Sequence, residues 1–102
     1  MKYINLKDGQ SLSGEFVKFS IGKFGVNIIL KNAEEEFGFT IKNAVLKNVV
    51  RKNIDKFIKG CEVTITRLGV EKGKYVLYKV LIDGKDISDY SLTLEEIVEL
   101  LK

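Results

Sequence analysis

Phe37-Gly38-Phe39-Thr40-Ile41-Lys42-Asn43-Ala44-Val45-Leu46-Lys47-Asn48-Val49-Val50 changes its period halfway along. Phe37, Phe39 and Ile41 recur at every second residue, which places them on one face of a strand, with Glu36, Gly38 and Thr40 on the other. From Ala44 the apolar positions are Val45, Leu46, Val49, Val50, Ile54, Phe57 and Ile58, and steps of three and four dominate. That is the spacing of a helix with one buried stripe. Asn43 stands at the change, where its side chain can accept from a free backbone N–H and cap the helix. Gly60 is a natural stop, and a break is expected near Asn53.

Strand spacing holds on both sides of this helix. Upstream, the Asp8-Gly9 turn leads into Gln10–Phe19, where Leu12, Gly14, Phe16 and Lys18 share one face and Ser13, Glu15, Val17 and Phe19 the other. A glycine inside a strand marks a bend or bulge, and the first strand of a small barrel must bend to pair with two partners. A polar loop is expected over Ser20–Lys23. It is followed by a second strand with Val26, Ile28 and Leu30 inward and Asn27, Ile29 and Lys31 outward. Lys31-Asn32-Ala33-Glu34 reads as a hairpin turn into the third strand.

Downstream, Cys61, Val63 and Ile65 alternate with Glu62, Thr64 and Thr66, and Leu68–Lys74, with Gly69 and Gly73, reads as a connecting loop. The last strand, Tyr75–Ile82, points Val76, Tyr78, Val80 and Ile82 one way and Tyr75, Leu77, Lys79 and Leu81 the other, and Asp83-Gly84 ends it. A short helix closes the chain. Thr93 and Glu96 have capping-box spacing, Leu92 and Ile97 the positions of a hydrophobic staple, and Leu94, Ile97, Val98 and Leu101 form a stripe. A helix of ~9 residues does not hold in water alone, so it must dock on the barrel or on a partner.

The expected fold is therefore all-β with minor α: a five-stranded OB-fold barrel with a helix between strands three and four and a short C-terminal helix. Residues 1–90 would form the barrel and 91–102 the acidic amphipathic helix.

Composition narrows the function. The 102 residues contain no His, no Trp, no Pro and one Cys. An imidazole base, a His-containing metal site and a Cys-rich zinc site are excluded. No enzyme, no metal and no cofactor is expected. A lone Cys61 suits a reducing compartment and most simply fills core. No apolar run approaches the ~20 residues that span a bilayer, and Met1–Asp8 has no signal-type apolar core, so a cytoplasmic protein without membrane contact is expected. The net charge of +3 conceals a division: residues 1–82 carry 15 Lys+Arg against 8 acids, and residues 83–102 carry 2 Lys against 6 acids. A basic body suits a polyanionic partner.

Leu6-Lys7-Asp8-Gly9 leading into Gly14-Glu15-Phe16 resembles the opening of small OB-fold single-stranded DNA-binding proteins of phage and archaeal type. Gly60-Cys61-Glu62-Val63-Thr64-Ile65, with Gly69 and Lys72-Gly73-Lys74, is similar to their second half, so the resemblance spans residues 6–82. It implies binding of single-stranded nucleic acid without a cofactor.

Such binders set cations along the phosphate path and aromatic platforms under the bases. An OB barrel binds across strands two and three, between the loops joining strands one and two and strands four and five. Lys18, Phe19, Lys23 and Phe24 lie in the first loop region, and Arg67, Lys72, Lys74 and Tyr75 in the second. Outward-facing Asn27 and Lys31 would lie between them. Phe19, Phe24 and Tyr75 are the candidate stackers, and Lys18, Lys23, Arg67, Lys72 and Lys74 the candidate phosphate contacts. Phe19 and Phe24 have a second reading as core, since Phe24 shares parity with Val26 and Ile28 and one β-bulge inverts such assignments. Lys42, Lys47, Arg51, Lys52, Lys56 and Lys59 read as the wet face of the helix, and Glu34-Glu35-Glu36 as a solvated hairpin.

Two functions are compatible with these features. The first is non-sequence-specific single-stranded DNA binding in replication, recombination or repair, with RNA as a variant separated by contacts to the 2′-OH. The second is a protein-interaction or assembly module on the same barrel. In that case the C-terminal helix offers an element for a homo-oligomer or a replication or repair partner.

Overall fold

A computed structural model describes residues 1–72 and 75–88, at 69–72 and 75 by backbone alone. The helix expected over the last residues lies outside the described residues. One sheet of seven strands runs in the order β1-β4-β3-β2-β5-β6-β7. The strands are β1 (Lys2–Tyr3), β2 (Ser11–Gly22), β3 (Gly25–Asn32), β4 (Glu35–Thr40), β5 (Glu62–Lys72), β6 (Tyr75–Ile82) and β7 (Lys85–Asp86). Among the described residues the one α-helix, α1 (Ala44–Lys52), lies between β4 and β5 and is followed by a 3₁₀ turn, Ile54–Lys56. The chain is thus mostly β with minor α. Among the described residues the sheet is not closed, however, and it has seven strands where five were expected, because the short β1 and β7 extend its two edges.

The sheet is organised by β2. Its first half pairs with β5 and its second half with β3, and the exchange falls at Glu15, which faces Glu62 on one side and Lys31 on the other. Leu12, Gly14 and Phe16 point into the core while Ser11 and Ser13 meet Thr66 and Thr64 on the outer face, with hydroxyl oxygens 2.6 and 2.9 Å apart. Gly14 is needed because two strands crowd its position: a Cβ there would lie 2.9 Å from the Lys31 carbonyl oxygen. The expected bend is not at this glycine. The ladder shifts between Phe16 and Lys18, a β-bulge at Val17. The extra residue reverses the parity of the strand beyond it, so Phe19 rather than Lys18 turns inward. Phe19 is half-buried against Phe16 and Phe57, with ring centroids 4.9 and 5.2 Å away.

Both faces of β3 are covered at its centre, which alternation did not anticipate. Ile28 and Leu30 belong to the core, and Ile29, expected outward, is 1% exposed. On that outer face the N-terminal strand β1 pairs in parallel with β4 and lays Tyr3 opposite Gly38. A Cβ at Gly38 would stand 2.6 Å from the Tyr3 ring, so this close approach requires glycine.

The helix begins and ends where its caps dictate. The Asn43 Oδ1 accepts from the Leu46 N–H at 3.0 Å, and its Nδ2 donates to the Val76 carbonyl of β6 at 2.9 Å. One side chain thus caps α1 and anchors it to the opposite half of the sheet. Leu46, Val49 and Val50 enter the core. At the far end the Asn53 Nδ2 donates to the Val49 carbonyl at 2.8 Å and to the Ile87 carbonyl at 3.5 Å. Among the described residues β4 and β6 do not pair, and α1 bridges the two halves instead. Half-buried Cys61 packs against the core, and burial pushes its thiol pKa up.

The β3–β4 turn carries an identifiable strain. Ala33 has φ +56°, where an L-residue pays ~1–2 kcal/mol that glycine avoids. Glycine also loses more unfolded-state entropy, ~0.4–1 kcal/mol. Ala33→Gly is therefore expected to stabilise the fold by up to ~1 kcal/mol, raising Tm by roughly 4–8 °C at the upper end. Thermal denaturation checks this, and a lowered Tm would contradict it.

Candidate functional site

The β2–β3 hairpin outruns the core beneath it. Pairing continues through Ser20↔Asn27, Ile21↔Val26 and Gly22↔Gly25, so the loop expected over Ser20–Lys23 is mostly strand. Lys23 and Phe24 form the two-residue tip. The ring of Phe24 is 72% exposed, with the Lys23 and Lys42 ammonium groups 5.8 and 5.6 Å from its centroid. This geometry allows cation–π attraction while leaving ring surface open. Lys42 was expected on the wet face of the helix. The β3–β4 register explains its position: Asn27 pairs with Thr40, and two further steps bring Lys42 level with Gly25, beside the tip.

The other sequence candidates separate. Lys18 is exposed on the same hairpin, just past the bulge. Asn27, expected to face a ligand, is 4% exposed. Its Oδ1 accepts from the Thr40 hydroxyl at 2.6 Å, and its Nδ2 lies 3.5 Å from the Ser20 Oγ. It ties three strands together and is buried, where an outward-facing side chain was expected. Lys31 is exposed but stands between Glu15 and Glu36 on the flanking strands, an acidic setting poorly suited to phosphate.

Arg67 is not a free groove cation either. Its Nε donates to Asp8 Oδ1 at 2.9 Å, and its guanidinium reaches the Leu6 carbonyl at 3.4 Å. The hydrogen bond to Asp8 raises its pKa further above its ordinary value. The loop expected over Leu68–Lys74 is also mostly strand, since β5 continues to Lys72 and β6 starts at Tyr75. Lys74 and the side chains of Lys72 and Tyr75 lie outside the described residues.

Beside the tip lies an apolar cleft of about 760 Å³ between the β2–β3 hairpin and α1. Phe19, Ile21, Val26, Ile41, Val50 and Ile54 line it, with Lys47 and Arg51 of α1 also at its wall. Ile21 is 90% exposed and Ile54 52%. Sequence periodicity had given Lys47 and Arg51 to the solvated helix face. Their spacing of four residues does place them on one side of α1, and that side borders the cleft.

Among the described residues, no group of three or more His, Cys, Asp or Glu side chains could hold a metal ion, and no helix is long and apolar enough to cross a membrane. No family model, curated protein or solved structure matches this chain.

Proposed function

We propose that this chain is a single-stranded nucleic-acid-binding protein, a binder rather than an enzyme, that engages its ligand through the tip of the β2–β3 hairpin. The carrying observation is the exposed Phe24 ring with the Lys23 and Lys42 ammonium groups beside it. A base stacks on the ring irrespective of its identity, and the two cations stand where the phosphates of successive nucleotides would pass. Lys18 extends the basic track along the same hairpin. The excess of basic residues over residues 1–82 favours the same class of ligand.

The fold reading behind this proposal is an opened OB-type sheet. Its five longer strands, taken alone, run third, second, first, fourth, fifth, with the helix after the third. A bulged first strand shared between two partners and a helix in that position are the supporting features. In an OB domain the hairpin joining the first two strands borders the ligand path, and Phe24 sits there. Cytoplasmic single-stranded DNA in replication, recombination or repair is the proposed target, with RNA as the variant.

Fluorescence anisotropy with labelled oligo-dT and a matching duplex, at low and moderate salt, tests the proposal. Single-strand preference and an affinity that falls with salt are expected, with a log–log slope of about −0.7 per phosphate neutralised on a single strand. Absence of binding to DNA and RNA at low salt would refute it.

A further inference from the structure

We propose that the apolar cleft between the β2–β3 hairpin and α1 is the docking site for the chain's own residues 91–102, seated as an amphipathic helix. Three observations converge on this occupant. The first is the character of the cleft: among the described residues its lining is mostly apolar, Ile21 and Ile54 stand exposed in it, and the charged residues at its wall are the cations Lys47 and Arg51. Such a surface favours an apolar segment bordered by acids.

The second is the place where the described chain leaves off. The Ile87 carbonyl lies 3.5 Å from Asn53 Nδ2, and Ile54, the next residue after Asn53, is a wall of the cleft. Fourteen residues come after Ser88. Four of them, 89–92, span up to ~14 Å when extended, and a helix over the remaining ten is ~15 Å long. The segment thus starts beside the cleft and is long enough to run along it.

The third is the match of charge and spacing. Leu94, Ile97, Val98 and Leu101 fall on one helix face, and Glu95 and Glu99, four residues apart, border one side of that stripe. Lys47 and Arg51 are also four residues apart on α1. The stripe supplies the cover the cleft lacks, and the cleft supplies the surface that so short a helix needs. The docking does not depend on nucleic-acid binding.

Methyl-labelled full-length protein provides the test. Nuclear Overhauser contacts are expected between the methyls of Leu94, Ile97 and Leu101 and those of Ile21, Val26 and Ile54. They should be present within one molecule, absent in Leu94→Asp/Leu101→Asp, and weakened in Lys47→Glu/Arg51→Glu. Adding Glu95→Lys/Glu99→Lys to the latter variant should restore them. Contacts found only between differently labelled copies would overturn the proposal in favour of exchange between two chains. Absence of any contact in the unsubstituted protein would overturn it outright.

Discussion

Gly14→Val is expected to be the most destabilising single change in β2, costing about 4 kcal/mol or more. The backbone of Gly14 is not in a left-handed conformation, so the cost is steric rather than conformational. A Cβ would stand 2.9 Å from the Lys31 carbonyl oxygen, and 3.2 Å from both the Leu30 Cβ and the Phe37 Cζ. The ring of Phe37 can swing, but the Lys31 carbonyl belongs to β3, which is paired on both sides and cannot retreat without breaking its ladders. Gly14→Ala meets the same oxygen with one methyl and should cost ~1–3 kcal/mol, partly offset by the lower unfolded-state entropy of alanine. A domain of this size has only about 5–15 kcal/mol of stability. Urea denaturation of the alanine and valine variants gives the ordering directly. A midpoint for Gly14→Val within error of the parent would show that the β2–β3–β5 crossing is loose enough to admit a side chain.

Phe24→Ala is expected to weaken oligo-dT binding about 5- to 150-fold, the range of ~1–3 kcal/mol for one stacked base. Its effect on stability should be slight, because the ring is mostly exposed and belongs to no core cluster. That separation distinguishes a binding residue from a packing residue, and Phe19→Ala should show the reverse pattern. Phe19 packs on Phe16 and Phe57, and its loss should lower Tm. Phe24→Tyr retains the stacking face and should retain most of the affinity. Lys23→Gln and Lys42→Gln should each reduce the magnitude of the salt slope by about 0.7. Unchanged affinity for Phe24→Ala, measured by anisotropy at low salt, would remove the hairpin tip as the binding element.

Asn27 and Arg67 share one feature. Chain position and side-chain type point both toward a ligand, but each makes side-chain hydrogen bonds to residues of another strand or turn. Asn27 meets Thr40 and Ser20, and Arg67 meets Asp8, 59 positions away. Lys42 moved the other way, from an anonymous surface lysine to a neighbour of Phe24, through the β3–β4 register. In all three cases the deciding information was which strands lie side by side.

Local sequence was enough for the strand–helix alternation, the start of α1 at Asn43, a break near Asn53, the hairpin at Ala33 and the inward sets of β4 and β6. These depend on period, caps and turns, all set by interactions within a few residues along the chain. The helical stripe expected to run on to Ile58 instead stops at Lys52 and leaves Ile54 and Ile58 exposed. Tertiary structure alone decided the Val17 bulge, the pairing that carries β2 and β5 through their expected loops, and the edge strands β1 and β7. A bulge is a mismatch between two paired strands, and strand length beyond the core is set by whether a partner continues alongside. Neither is a property of one segment. Because the bulge reverses parity, it also decided that Phe19 joins the core. Phe24, held at a hairpin tip beyond that core, remains exposed between two lysines.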